Sequence, residues 1–135
     1  MKQLLKTGLA LIALAPMLFT SCSKDEGLGG TSTIVGRVKV IDYNSSFTKI
    51  NDEYYLQDER VYIVYGNDEI YSDDFRTDFD GRYQFEFLTK GEYTIYAMSK
   101  DSADPTSPLK VPVSVKVKID KNNQTVEAPE IVIFD

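Results

Sequence analysis

Apolar and polar residues alternate with a period of two along most of the chain after residue 33. The clearest case runs from Val111 to Ile119, where the odd positions are valine or isoleucine and the even positions are Pro, Ser, Lys and Lys. Tyr83, Phe85 and Phe87 alternate with polar residues in the same way. Residues two apart in a β-strand point to the same face, so these segments are typical of strands with one buried and one solvated face. No segment shows the 3.6-residue apolar period that is typical of an amphipathic helix.

This pattern predicts seven strands, over residues 34–41, 60–65, 69–77, 82–88, 92–98, 111–119 and 125–134. Glycine, asparagine and aspartate between the strands supply the positive φ that tight turns require. Seven short strands with frequent turns predict an all-β fold, an antiparallel seven-stranded β-sandwich. Two longer connections, 42–59 and 99–109, are predicted to be loops.

The most specific family motif of the domain lies between Thr77 and Ile95. It reads TDFDGRY from Thr77 and continues as LxxGxY from Leu88 to Tyr93. Together with the strand motifs GxV at 36–38 and VxI at 61–63, it resembles the carboxypeptidase regulatory-like domain, a transthyretin-like (prealbumin-like) Greek-key sandwich. It is also similar to the B-type repeats of Gram-positive collagen adhesins. The resemblance implies a corner in which the Tyr93 hydroxyl returns to nearby backbone. It implies an architecture and no catalytic chemistry.

The first 22 residues have the organisation of a secretory signal. Lys2 and Lys6 precede an apolar run, and the small residue Ser21 precedes Cys22, which is the only cysteine in the chain. This arrangement resembles the bacterial lipoprotein signal, which implies cleavage before Cys22 and acylation of that residue, with palmitate among the chains. The alternatives are a membrane-spanning anchor and an unmodified structural cysteine. The apolar run is shorter than the roughly 20 residues that a spanning helix needs.

Glycine, serine, threonine and charged residues make up most of the segment that follows Cys22. Such a composition is typical of a flexible linker. The sequence therefore predicts three parts: a lipoprotein signal peptide over 1–21, an acylated cysteine and flexible tether over 22–33, and one β-sandwich domain over 34–135.

The residues directly after Cys22 carry a second sorting signal. Ser23, Lys24, Asp25 and Glu26 resemble the export signal of Bacteroidetes lipoproteins, in which lysine or serine is followed by acidic residues. The resemblance implies a lipid-anchored protein on the outer face of the outer membrane. The alternative interpretation is a solvated tether with no role in sorting.

Charge and composition exclude several classes of function. The chain has 15 basic and 21 acidic residues, and the signal peptide contains two of the lysines and none of the acidic residues. An acidic chain without a basic cluster is a poor nucleic-acid binder, because affinity for phosphates depends on lysine and arginine. The chain has no histidine, which excludes histidine-based catalytic triads and histidine metal sites. We expect no cofactor and no enzymatic activity.

Three groups of residues are candidates for binding or modification. Tyr54 and Tyr55, in the first long connection, are the predicted ligand face, chosen from a larger aromatic set that also contains Tyr62, Tyr65, Tyr71, Phe75 and Tyr96. Asp78 and Asp80 are calcium candidates, although the further oxygen ligands of an EF-hand are missing and both residues also suit a turn. Asp101-Ser102-Ala103 resembles the O-glycosylation motif of Bacteroidetes and marks Ser102 for modification.

These features predict a surface-anchored, non-catalytic protein-interaction or structural accessory module of the outer membrane. Its expected partners are the membrane, through the lipid anchor, and an outer-membrane protein. The alternative is a glycan-binding module of a surface carbohydrate-uptake system, which would use the tyrosines.

Overall fold

The structure, a computed structural model, describes residues 25–135, and every regular element in that range is a β-strand. Nine strands follow one another in two sheets. They are β1 (Leu28–Tyr43), β2 (Ile50–Tyr55), β3 (Arg60–Tyr65), β4 (Asp73–Arg76), β5 (Arg82–Leu88), β6 (Gly91–Lys100), β7 (Lys110–Ile119), β8 (Thr125–Glu127) and β9 (Ile131–Phe134). The predicted all-β class and the two-sheet architecture of a sandwich are confirmed.

The five-stranded sheet is organised around the long strand β1. One side of β1 pairs antiparallel with β5 along its first half and with β2 along its second half. The other side pairs with β8 and then β9, and both of these pairings are parallel. The second sheet has the order β4-β3-β6-β7 and is antiparallel throughout.

The prediction of an antiparallel sandwich with seven strands was wrong in three respects, the first of which is the parallel pairing of β1 with β8 and β9. Strand β2 lies inside the 42–59 segment that was predicted to be a loop, and its residues are exposed throughout, so they show no alternation. The predicted C-terminal strand 125–134 is divided into β8 and β9 around Pro129, which has no N–H to donate to a sheet. The Greek-key, transthyretin-like topology stays a prediction.

Alternating residues from both sheets form one buried cluster between them. Its largest fully buried members are Tyr83, Tyr93, Ile34, Ile63, Leu88, Ile95, Ile119 and Ile131. The alternating side chains of Tyr93, Ile95 and Ala97 on β6 are all buried. Burying an isoleucine or leucine side chain contributes roughly 1.5–3 kcal/mol, so this cluster is the main source of stability.

A β-bulge near the end of β5 reverses the alternation of that strand. Phe87, which was predicted to face the core, is 66% exposed and has a φ of 58°. The register of β5 against β1 shifts between Ser32 and Ile34, because β5 has one extra residue there. Leu88 occupies the buried position instead, at 1% exposure.

The folded domain begins earlier in the chain than the predicted boundary at Ile34. Strand β1 starts at Leu28, so residues 28–33, which were assigned to the tether, pair with β5 and β8. The Tyr93 hydroxyl donates a hydrogen bond to the Thr89 carbonyl oxygen at 2.8 Å, as the predicted corner requires. It also accepts one from the Gly27 N–H at 3.0 Å. The corner tyrosine therefore fastens the start of the described chain to the sandwich.

A second buried tyrosine, Tyr83, lies over Gly36 on the neighbouring strand. The two residues are directly opposite each other in the β1–β5 pair, and the ring takes the space that a side chain on Gly36 would occupy. The Tyr83 hydroxyl is buried and has no hydrogen-bond partner among residues 25–135. Burial raises the pKa of this hydroxyl well above its usual range.

Tyr83→Phe is expected to raise the free energy of unfolding by about 1 kcal/mol, because a buried hydroxyl without a partner costs about 1–3 kcal/mol in lost hydration. Urea denaturation of the variant and the wild type measures the difference. A destabilised Tyr83→Phe variant would mean that the hydroxyl has a partner in solution.

Candidate functional site

The structure describes only the last two residues of the predicted export signal. Cys22 and the next two residues of the export signal lie outside the described range. Asp25 and Glu26 lie inside it, and the Asp25 carbonyl oxygen accepts a hydrogen bond from Thr89 Oγ1 at 2.9 Å. Glu26 lies against Gly91 so closely that any side chain at position 91 would collide with it. The acidic half of the predicted export signal is therefore held against the sandwich.

The predicted ligand face of Tyr54 and Tyr55 is not brought together by the fold. Both residues are on β2, where Tyr54 pairs with buried Val40 and Tyr55 pairs with Lys39. Neighbouring residues of a strand point to opposite faces, so the two rings lie on opposite sides of the five-stranded sheet. They cannot hold one ligand between them.

Each of these two tyrosines has local partners of its own. The Arg37 guanidinium carbon lies 3.4 Å from the centre of the Tyr55 ring, and the Tyr55 hydroxyl donates to Glu130 Oε2 at 3.1 Å. Arg37 covers one face of this ring in a cation–π contact. Burial, and then the charge of Asp135, raises the pKa of Tyr54.

The calcium candidates Asp78 and Asp80 form a turn between β4 and β5. Asp78 Oδ1 accepts hydrogen bonds from the backbone N–H groups of Asp80 and Arg82, both at 2.9 Å. Gly81, with a φ of 69°, completes the turn. Within residues 25–135, no three or more Asp, Glu, Cys or His residues are grouped so that they could hold a metal ion.

Ser102 lies in the exposed connection between β6 and β7. Asp101 Oδ1 accepts a hydrogen bond from the Ala103 N–H at 2.9 Å, which closes a turn around the serine. The Ser102 side chain is exposed, so an enzyme could reach it. Its glycosylation stays a prediction.

Three other tyrosines meet on the outer face of the four-stranded sheet, and we call this surface the tyrosine face. Tyr62 on β3 and Tyr96 on β6 are directly opposite each other in the antiparallel pair. Their chain neighbours Val61 and Ala97 are buried in the core, so the two rings point outward. Tyr71, in the connection after β3, lies against the first of them.

Tyr62 contacts both of the other rings of the tyrosine face. Tyr62 and Tyr96 are stacked, with ring centres 4.9 Å apart and an interplanar angle of 16°. Tyr71 meets Tyr62 edge to face, also at 4.9 Å. Burial raises the pKa of Tyr96, and the neighbouring Tyr62 and Tyr71 raise it further. Aromatic pairs in these arrangements are mutually stabilising, which makes the face a preformed surface.

A groove of about 760 Å³ runs beside the tyrosine face. Most of its lining is apolar or aromatic. The lining residues are Val64, Glu69, Ile70, Tyr71, Tyr96, Met98, Pro112 and Ser114. Ile70 is 78% exposed and stands at the rim. The groove can therefore take up apolar groups, and its side-chain polar groups are one carboxylate (Glu69) and the hydroxyls of Ser114, Tyr71 and Tyr96.

The residues of this site were among the aromatic candidates from the sequence, but the sequence could not distinguish them from the other aromatic residues. Tyr62, Tyr71 and Tyr96 belonged to the aromatic candidates, together with Tyr65 and Phe75. Tyr65 packs edge to face against Tyr93, with ring centres 5.8 Å apart, and Phe75 packs in the same way against Phe85 at 6.3 Å. These two rings pack against the core. The sequence does not distinguish them from the rings of the tyrosine face, because that distinction depends on how the strands pair.

A second depression, of about 640 Å³, lies across β1 and β5. Its charged lining residues are Arg37, Asp78, Arg82 and Glu127. Arg37 already donates two hydrogen bonds to the Asp80 carbonyl oxygen, at 3.1 and 2.9 Å, and Asp78 holds the turn described above. These polar groups are used by the fold, so the tyrosine face is the better candidate for a binding site.

Comparisons with known proteins give no family for this chain. No known protein family matches it, and no curated protein matches its sequence. A crystal structure of a "putative carbohydrate binding protein" from Pseudomonas aeruginosa superposes on it with a TM-score of 0.48 and 14% identity, over 81% of this chain and 91% of that chain. In the part of the chain that the structure describes, no helix is long and apolar enough to cross a membrane.

Proposed function

We propose that this chain is a lipid-anchored, non-catalytic module of the outer membrane surface that binds a partner protein through the tyrosine face. One observation carries the proposal: six of the eight residues that line the groove are apolar or aromatic, and they stand on an exposed sheet face. Aromatic residues and methionine are enriched in protein interfaces, whereas lysine and glutamate are depleted there. The groove contains two tyrosines, a methionine and no lysine, and Glu69 is its one charged residue.

The geometry of the rings favours a protein over a glycan. Tyr62 and Tyr96 stack on each other, so each has one ring face occupied by the other. A sugar presents many hydroxyl groups and needs several converging polar groups, whereas six of the eight residues that line the groove are apolar or aromatic. Its side-chain polar groups are the Glu69 carboxylate and the hydroxyls of Ser114, Tyr71 and Tyr96. An apolar side chain of a partner protein needs none. The glycan-binding alternative is an outcome of the test below.

Ile70 and Tyr71 are the expected anchor residues of this interface. Ile70 is 78% exposed and Tyr71 is 46% exposed, and both stand at the rim of a preformed groove. Binding energy is concentrated in a few aromatic or apolar anchors that become desolvated. Acylation at Cys22 would confine the domain to a membrane surface and raise its local concentration near a membrane partner.

Site-specific photo-crosslinking in intact cells tests this proposal. Tyr71→p-benzoylphenylalanine is expected to give one discrete protein adduct. Phe79→p-benzoylphenylalanine, at a turn position that is 83% exposed, is the matched control and should give none. Adding Ile70→Glu to the Tyr71 variant should reduce the adduct about tenfold or more, because loss of a hot-spot side chain costs about 2 kcal/mol or more.

Further variants in the same cells test the lipid anchor, the protein interface and the glycan alternative separately. Cys22→Ala should move the protein out of the membrane fraction and abolish the adduct. An adduct that forms equally at positions 71 and 79 would refute a specific protein interface at the tyrosine face. Binding to cell-surface polysaccharide that is lost in Tyr96→Ala, without any protein adduct, would replace the proposal with the glycan alternative.

A further inference from the structure

We propose that the end of the sandwich that carries Leu28 and Phe87 rests directly on the membrane, with both side chains in contact with lipid. This inference rests on the acylation of Cys22 that belongs to the proposed function. Three observations lead to it: the short chain between Cys22 and the fold, the exposure of two large apolar residues where the fold begins, and the backbone conformation of one of them.

Only two residues, Ser23 and Lys24, separate Cys22 from the first residue that the folded domain holds. Thr89 holds the described chain from its first residue, because its Oγ1 donates to the Asp25 carbonyl oxygen and its N–H donates to the Gly27 carbonyl oxygen, both at 2.9 Å. The three Cα–Cα steps from Cys22 to Asp25 span at most about 11 Å when fully extended. A tether that continued to Thr33, as the sequence predicted, would reach roughly 40 Å.

A reach of about 11 Å leaves little space between the domain and the bilayer, because the headgroup layer on each side is itself roughly 5–8 Å thick. If acyl chains on Cys22 are in the membrane, Asp25 lies close to the headgroups. The surface of the domain around Asp25 must then face the membrane.

That surface carries two exposed apolar side chains. Leu28 is 64% exposed and Phe87 is 66% exposed. The backbone of Leu28 pairs with Leu88, the residue after Phe87, so the two exposed residues are neighbours at the start of β1 and the end of β5. Exposed apolar residues beside an anchoring point are suited to the boundary between headgroups and acyl chains.

The β-bulge accounts for the backbone conformation of Phe87, but it does not require a phenylalanine at that position. Its φ of 58° is a left-handed value that bulky residues rarely adopt and that glycine adopts without strain. Its ring is largely exposed, so burial in the core does not compensate for the strain. Contact of the ring with lipid would account for an aromatic residue at this position.

Charge does not account for membrane contact at this end. Exposed Lys90 and Lys121 are at this end of the sandwich, but so are the carboxylates of Asp25, Glu26 and Glu86, so positive charge is not in excess there. The expected attraction is therefore apolar, and it should persist on a zwitterionic surface without anionic lipid. This allows a test with phosphatidylcholine alone.

Single tryptophans test the contact, because the natural chain contains none. Full-length Phe87→Trp and Leu28→Trp proteins are produced in cells, and the processed lipoproteins are purified and reconstituted in phosphatidylcholine vesicles with brominated acyl chains. The matched controls are Phe79→Trp and Leu109→Trp, whose natural side chains are 83% and 74% exposed. Leu109 precedes β7 at the opposite end of the sandwich, roughly 30 Å from the anchoring end.

We expect brominated lipid to reduce the emission of the tryptophans at 87 and 28 by about half, because side chains at this boundary are buried about 5–10 Å deep. The controls should change little. Two test positions are used because either substitution alone could disturb the fold, which circular dichroism would show.

The outcomes distinguish this inference from the proposed function. If all four single-tryptophan variants are acylated and bound to vesicles, and their tryptophans are quenched equally or not at all, the proposed contact is wrong and the lipid anchor stands. An intact mass without acyl chains on Cys22 would overturn the lipid anchor, and this inference with it.

Discussion

Gly36→Ala is expected to lower the free energy of unfolding by about 1–3 kcal/mol, the range for overpacking a well-packed core. A Cβ atom at this position would lie 2.2 Å from the Tyr83 hydroxyl oxygen and 2.4 Å from the ring carbon that carries it. Tyr83 is only 2% exposed and packs against Phe85, with ring centres 5.9 Å apart, so its ring has little room to move. The clash therefore has to be relieved by shifting β1 or β5.

Chemical denaturation of the Gly36→Ala variant measures this loss, and a double-mutant cycle assigns its cause. Tyr83→Leu alone should also destabilise the domain, because it removes a large buried ring. The double variant should lose less stability than the sum of the two single changes, because a shorter side chain leaves room for the new methyl group. Additive losses would show that the clash with Tyr83 is not the source of the effect.

Tyr93→Phe is expected to lower the free energy of unfolding by about 1–3 kcal/mol, through the loss of buried hydrogen bonds. The hydroxyl donates to the Thr89 carbonyl oxygen at 2.8 Å and accepts from the Gly27 N–H at 3.0 Å. Removing it leaves a buried donor and a buried acceptor without their partner. The amide of Gly27 should then exchange with solvent faster, and hydrogen exchange measures that locally.

The matched control for Tyr93→Phe is Tyr83→Phe, which makes the same chemical change in the same core. The Tyr83 hydroxyl has no partner among residues 25–135, so the two variants should change stability in opposite directions. Equal changes would show that hydrogen bonding does not distinguish the two tyrosines. Tyr93→Phe should also weaken the quenching of a tryptophan at position 87, because it removes the hydrogen bond that holds Gly27, two residues after Asp25, to the sandwich.

The sequence alone predicts much of this fold, for a local reason. The alternation in Val111–Ile119 and around Tyr93 is a property of each strand, and burial of one face requires it. The tyrosine corner is equally local, because the Tyr93 hydroxyl reaches back only four residues to Thr89. Strand β2 escaped prediction because its residues are exposed on both faces, so burial leaves no pattern in them.

The candidate site could be predicted only in part. The sequence identified tyrosines as the residues that could bind a ligand, but it favoured Tyr54 and Tyr55 because they lie in a long connection, where binding residues are common. Adjacent residues in a strand diverge, whereas Tyr62 and Tyr96, 34 positions apart in the chain, are placed side by side by the β3–β6 register. Residues that are adjacent in the sequence of a strand point to opposite faces, whereas residues paired across two strands share a face and can form one binding surface.

By itself, the sequence determined the all-β class, most of the strands and the side chains of the core, because these follow from a period of two along a single strand. The tertiary structure decided how strands meet: the parallel pairing of β8 and β9 with β1, the bulge that exchanges Phe87 for Leu88, and the contact between Tyr62 and Tyr96. It also decided that the fold begins within three residues of Cys22. These outcomes depend on register and closure between distant segments, which no local pattern encodes.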